Sequence, residues 1–432
     1  MAKRSRSRSP KANVTSIGNH QLHPSTLMMG YGFDPILSEG ALKPPVFHTS
    51  TFVFESAAAG RRFFEQATGM RPGSPEGLIY SRFNGPDQEI LEDRLSVWEG
   101  AEEALTFSSG MAAIVTAMLS LVRAGDVVVH SAPLYAATEI FIAKVLSRFG
   151  VKFIDFPADA SADAIRAVME AANAMGRVAF VFLESPANPT NLLIDIEAVA
   201  AARDAVFADA RPPILIDNTF LGPLWQQPLN HGADLTVYSL TKYVGGHSDL
   251  VAGGIVGSKT LLDPIRAMRN TIGTIVDPHT AWMLLRSLET LELRMARAGE
   301  NAAKVCAFLA DQPEVERIGY LGFLAPESSQ GNIYARHCSG AGSTFSLYLK
   351  GGEAEAYRFL DALQIAKLAV SLGGTETLAS HPASMTHIAI ADARKVMLGI
   401  TENLVRISVG IEHADDLIAD FAQALLAIGT MD

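Results

Sequence analysis

Cysteine is scarce in this chain: two in 432 residues, Cys306 and Cys338, with no CxxC or metal-ligand spacing. That excludes a disulfide framework and points to a reducing compartment, expected to be the cytoplasm. Positive charge is also in deficit. Thirty-five Lys and Arg stand against 46 Asp and Glu, a net charge of −11, and residues 1–11 hold five of the positive charges with no acid, which leaves −16 on the rest. A body that acidic is not a general nucleic-acid binder. Long apolar runs are missing too. The longest uncharged, apolar-rich stretch, Ala104 to Val122, is interrupted near its start by Ser108, Ser109 and Gly110, so it reads as strand, turn and buried helix and not as a membrane span.

Absent motifs narrow the chemistry further. No GxGxxG follows a strand, and GAGS at 340–343 lacks the third glycine and the helix of a dinucleotide site. GGIVGSKT at 253–260 misses the Walker pattern, because Ser258 separates the glycine from Lys259. Without HExxH or paired cysteines, metal catalysis is disfavoured and no metal is expected. No internal repeat with a period of about 20–50 residues is seen, which argues against solenoids and propellers.

What is present is a large apolar fraction, 48% of residues with 19% charged, enough for two or three folding units of roughly 100–200 residues each. The basic, Ser-rich start MAKRSRSRSPK opens a tail expected to be disordered over 1–30. Residues 31–75, with Pro44-Pro45 and a Gly- and Pro-rich patch from Gly69 to Gly77, read as an irregular arm that wraps a domain or reaches a partner chain.

Over 76–278 the pattern changes: short β-branched runs (ALTF, DVVVH, VKFIDF, VAFVFLE, PILID, LTVYSL, GGIVG) alternate with helical stretches. Such alternation predicts an α/β fold, a mostly parallel sheet with helices on both faces and its site at the carboxyl ends of the strands. The run 279–311 reads as one long bridging helix. Residues 312–432, with TFSLYL, KLAVSL and LVRISVG as strands, read as a smaller C-terminal α+β domain.

Four features fall where strands end. Asp217 closes PILID, and an acid there must find a partner or lose its charge. Lys242 follows LTVYSL between hydroxyls and glycines; if burial deprotonates it, it becomes a nucleophile toward carbonyls, as an aldehyde cofactor requires. SSGMAA at 108–113 offers the amides of a helix start to an anion, although Ser-Ser-Gly is also an ordinary cap. Tyr135, just past DVVVH, can lie on a cofactor ring or simply wall the core. Together these are the parts of a pyridoxal phosphate site: an anion seat, a carboxylate for the ring nitrogen, and an amine.

With these residues in view, the chain resembles the Cys/Met-metabolism family of pyridoxal-phosphate (PLP) enzymes, of fold type I. The resemblance rests on YSRFNGP, SSGMAA, ESPANPT, IDNTF, SLTKYVGGH, SLGGTETLASHPASMTH and LVRISVGIE, and covers roughly residues 30–430. It implies that Lys242 carries the cofactor, that Asp217 partners the ring nitrogen, and that Ser239, Thr241, Gly110 and Met111 contact the phosphate. Tyr135 matches a ring-stacking tyrosine that also donates a proton. Arg406 matches the arginine that grips the substrate carboxylate, with Ser371 and Leu372 beside it. Tyr80 and Arg82 match a pair given to the phosphate of the neighbouring subunit, which implies composite sites in a homotetramer built as a dimer of dimers, acting on a small amino-acid substrate.

The resemblance leaves the reaction open between γ-elimination on methionine-like L-amino acids, ranked first, and γ-replacement of the cystathionine-synthase or O-acylhomoserine-sulfhydrylase kind. A cofactor-less scaffold is the remote third reading. Ala137 stands where methionine γ-lyases of the familiar type carry a cysteine, and Arg269-Asn270 where they carry Lys-Asp. Val370 precedes SLGG where cystathionine-handling members place a glutamate.

Overall fold

All seven apolar runs of the large domain become strands of one sheet in the computed structural model, which describes residues 13–73, 75, 77–208 and 210–429. In chain order they are β1 (Glu103–Phe107), β2 (Val127–Ala132), β3 (Lys152–Pro157), β4 (Val178–Glu184), β5 (Ile214–Asp217), β6 (Leu235–Tyr238) and β7 (Gly253–Gly257). Their spatial order is β1-β7-β6-β5-β4-β2-β3, and only β7 runs against its neighbours. Glu184 and Asp217 are register partners at the ends of β4 and β5, which brings two strand-end acids side by side.

Side chains alternate across the sheet as a period of two demands. Phe180 and Phe182 of β4 pack on one face with Ala113 and Ala117 of a helix, whereas Val181 and Leu183 pack on the other with Met169 and Val199 from two further helices. Both phenylalanines are fully buried, each contributing about 1.5–3 kcal/mol of transfer free energy.

The helices start where capping residues stand. The helix α1 (Pro86–Glu99) has proline at its first position; α2 (Gly110–Leu121) is capped by Ser109, α3 (Ala162–Met175) by Ser161 and α4 (Ile196–Val206) by Asp195, each side chain accepting an amide three residues on.

The large domain ends with α5 (Lys259–Ile272). The stretch expected as one helix over 279–311 is two, α6 (Pro278–Leu288) and α7 (Leu291–Ala310). The guanidinium of Arg294 explains the break: it donates to the carbonyl of Ser287 and to Thr290 Oγ1, holding the junction in a tight turn. Leu291 and Met295 of α7 pack in one apolar cluster, and its Val305, Cys306 and Leu309 in another.

After α7 comes a five-stranded sheet, β8 (Val315–Gly319), β9 (Thr344–Leu349), β10 (Lys367–Leu368), β11 (Leu378–Ser380) and β12 (Leu404–Ser408), ordered β8-β9-β12-β11-β10. The helix α8 (Ser329–His337) lies between β8 and β9 in sequence. Strands β8 and β11 were not legible in the sequence, and KLAVSL supplies only the two residues of β10.

Order begins upstream of residue 30. Ser16–Ile17 pairs with His20–Gln21, and Leu27 and Met28 are buried against α1 and its neighbours; the basic residues 1–12 lie outside the described residues. Within 31–75 the chain also forms a helix, Ala57–Ala67, capped by Ser56 and burying only Gly60. No helix among the described residues is long and apolar enough to cross a membrane.

Candidate active site

A cavity of about 390 Å³ opens at the carboxyl ends of β4, β5 and β6 and the start of α2, as the topology of an open α/β sheet dictates. Ten residues singled out from the sequence line it: Gly110, Met111, Tyr135, Asp217, Ser239, Thr241, Lys242, Ser371, Leu372 and Arg406. Tyr80 and Arg82 do not. Tyr80 is half-exposed, and Arg82 donates to the carbonyl of Asn270 with its guanidinium 4.6 Å from the Phe83 ring centre.

The seat for an anion is formed by close approach. A Cβ on Gly110 would lie 2.9 Å from Ser239 Cβ and 3.1 Å from Ser239 Cα, so only glycine lets the start of α2 meet the loop after β6. Across from it, a Cβ on Gly253 would lie 2.1 Å from the carbonyl oxygen of Ser109. Thr241 is fixed by mutual bonds with Ala252, Oγ1 to O at 3.1 Å and N to Oγ1 at 3.0 Å.

Asp217 is buried, and its Oδ1 accepts from the amide (3.0 Å) and hydroxyl (2.5 Å) of Thr219, leaving Oδ2 without a bond among the described residues. Burial raises its pKa, and the Thr219 bonds oppose that rise. Thr219 Oγ1 in turn accepts from the amide of Ser239, so the carboxylate and the anion seat share one relay.

Lys242 Nζ donates to Ser371 Oγ at 2.7 Å. Burial, with Arg406 nearby, lowers its pKa to about 8, while Asp217 pulls the other way. Arg406 is 4% exposed. Its guanidinium donates to Asn188 Oδ1 at 3.1 Å and to the carbonyl of Ser371 at 2.8 Å, which fixes the plane of the fork. Desolvation lowers its pKa to about 10, so it keeps its charge at neutral pH.

Sequence reasoning gave no role to Glu184, Asn188 or Thr219, although all three lie in the quoted motifs. Glu184 Oε2 accepts from the amide of Tyr135 at 2.6 Å and Oε1 from the amide of Asn188 at 3.2 Å, so one carboxylate orients the aromatic wall and the residue beside Arg406. Burial, and then the neighbouring Asp217, pushes its pKa well above the ordinary carboxylate range. The signal that was available is the pairing of two strand ends, since both acids close buried strands.

Arg269, which stands where the familiar methionine γ-lyases carry the lysine of their Lys-Asp pair, is fully buried, bonded to Glu92 Oε1 at 2.6 Å and to the carbonyl of Thr106 at 2.9 Å, and does not line the cavity.

The sequence matches the Cys/Met metabolism PLP-dependent enzyme family over residues 25–426. The chain belongs to this family. It is 40% identical to an L-methionine gamma-lyase from Pseudomonas putida over 93% of this chain and 97% of the relative. It is also 35% identical to an O-succinylhomoserine sulfhydrylase from Pseudomonas aeruginosa, over 90% and 92% of the two chains. The crystal structure of metB from Corynebacterium glutamicum superposes with a TM-score of 0.83 at 32% identity, covering 94% of this chain and 98% of the other. The fold is that of the type I PLP enzymes, and the family's cofactor fits the residues present: a glycine-closed anion seat, a buried acid with a spare oxygen, and an amine poised below its usual basicity.

Proposed function

We propose that the chain catalyses γ-elimination on methionine-like L-amino acids, with water consumed and an α-keto acid, ammonia and a thiol released. The observation that carries this reading is the composition of the pocket. Among the described residues, Glu184 and Asp217 are the only acids lining it, both buried at strand ends, while its outer wall holds Val251 and Val370, 59% and 57% exposed. A substrate with an apolar γ-substituent suits that wall; one with a distal ammonium finds no free carboxylate there. The similarity to L-methionine gamma-lyases supports the same substrate class.

When bound, the cofactor supplies an electron sink for charge developing on the substrate's α-carbon. The protein's own residues do the rest. Gly110, Met111, Ser239 and Thr241 hold the phosphate at the positive end of α2. Asp217, its Oδ1 anchored by Thr219, would pair with the ring nitrogen and hold it protonated. Arg406, its plane fixed by Asn188 and Ser371, grips the substrate carboxylate with a two-pronged donor.

Lys242, an amine of lowered basicity held by Ser371, would carry the cofactor and is suited to removing the substrate's α-proton and shuttling a second proton from the β-carbon. Tyr135, its backbone held by Glu184, would face the cofactor ring and could offer its hydroxyl proton to the departing sulfur. Tyr80 and Arg82, outside the pocket of their own chain, serve the phosphate of a second copy, in a homotetramer made of two such dimers; the arm over 31–75 extends toward that copy.

One preparation decides between elimination and replacement. Keto acid formed from methionine supports the proposal; negligible keto acid alongside rapid thioether synthesis from an acylated homoserine and cysteine refutes it in favour of γ-replacement.

A further inference from the structure

Three side chains from distant parts of the sequence meet outside the pocket. Glu197 lies in the first turn of α4, His231 closes the 3-10 turn Pro228–His231, and His337 ends α8. One nitrogen or oxygen atom from each lies within 4.8 Å of the others. His231 Nδ1 is 3.0 Å from Glu197 Oε1, and the two imidazole centres are 4.4 Å apart with planes inclined at 33°.

His337 adds an independent observation. It is 3% exposed, and among the described residues neither ring nitrogen has a hydrogen-bond partner. Asp195 Oδ1 and Glu197 Oε2 stand 3.7 and 3.8 Å from its Nε2, beyond hydrogen-bond reach. Buried polar groups are almost always satisfied, so an imidazole open on both nitrogens and facing two carboxylates calls for a ligand.

The charge balance suits a cation. Arg336 pairs with Asp195 Oδ2 and Glu197 Oε2, which orients both carboxylates from outside and leaves two acids against one guanidinium. Two imidazoles with one carboxylate match the donor set of late first-row divalent ions, whereas magnesium and calcium select oxygen alone.

We propose that Glu197, His231 and His337 bind one late first-row divalent ion, with zinc as the reference, fastening α8 to α4. Such a site is structural, apart from the chemistry of the cavity.

The test uses the full-length, cofactor-loaded protein, stripped by a chelator and titrated with Zn(II) against a chromophoric competitor, beside His231→Gln and Glu197→Gln. These two are chosen because His337 is buried and its removal endangers folding. One equivalent per chain is expected for the parent, with affinity at least about tenfold weaker in each variant, and a zinc-dependent rise in melting temperature that both variants diminish. Unchanged visible cofactor absorbance in both variants keeps the result separate from the catalytic reading. No binding by the parent, or binding equally tight in both variants, overturns the proposal.

Discussion

Lys242 and Arg406 are both held by Ser371: its hydroxyl accepts from Lys242 Nζ at 2.7 Å and its carbonyl accepts from Arg406 at 2.8 Å. One residue just after β10 therefore sets both the amine and the guanidinium of the pocket. Its neighbour Gly373 has φ of +74°, and a Cβ there would lie 2.7 Å from the amide of Tyr243. The SLGG segment can press on the lysine loop only as glycine.

The assignment of Lys242 is checked by colour and by mass. Lys242→Ala is expected to purify colourless and inactive, and borohydride reduction of the parent followed by peptide mapping should place a pyridoxyl mass on Lys242. A yellow alanine variant with full turnover would sink the assignment.

A lysine lowered to about 8 gives a pH signature. Attack on the cofactor aldehyde needs the neutral amine, so the rate at which cofactor-free protein regains visible absorbance should rise about tenfold per pH unit below 8 and level off above it. Stability follows the same sign. Between about 8 and the ordinary value of 10.5 the unfolded chain binds more protons at this residue than the folded one, so this group's contribution improves as pH rises through that window and is least favourable below it. A capture rate flat from pH 6 to 9 would contradict the lowered value.

Arg406→Lys is expected to retain cofactor and melting temperature while KM for the amino acid rises about tenfold to a hundredfold, since a point charge cannot reproduce a planar fork held by Asn188 and Ser371. Steady-state kinetics on the yellow variant check it; an unchanged KM would remove Arg406 from the carboxylate site.

Gly110→Ala tests the anion seat. The added methyl meets Ser239 Cβ at 2.9 Å, so the seat must open, with a loss of about 1–3 kcal/mol by overpacking. Equilibrium dialysis should show weaker cofactor retention, and thermal melts of the cofactor-free protein a lower midpoint. Parental values in both measurements would mean that the helix start is not closed against Ser239.

Subunit sharing is tested by mixing. Neither the double variant Tyr80→Phe/Arg82→Ala nor Lys242→Ala should turn over well alone, whereas exchanged heterodimers hold one intact composite site and should recover up to about a quarter of parental activity. Mass spectrometry confirms the exchange; no recovery after it would place Tyr80 and Arg82 in a structural role.

Much of the fold was readable because the period-two and helical patterns are local. The seven strands of the large sheet stand where the β-branched runs stand. The strand β11 escaped because three residues carry no periodicity. The break between α6 and α7 escaped because its cause is a side chain, Arg294, reaching back to Ser287.

By itself the sequence determined the alternation that makes the sheet, the strand-end acid and lysine, and through its ordered motifs the family and the cofactor. Tertiary structure alone decided which groups touch: that Thr219 links Asp217 to Ser239, that Glu184 steadies Tyr135, that Arg269 pairs with Glu92, and that residues 197, 231 and 337 converge. The physical reason is one of range. Propensity and patterning act over a few neighbouring residues, whereas hydrogen bonds and ion pairs between segments a hundred residues apart exist only after the sheets and helices have packed.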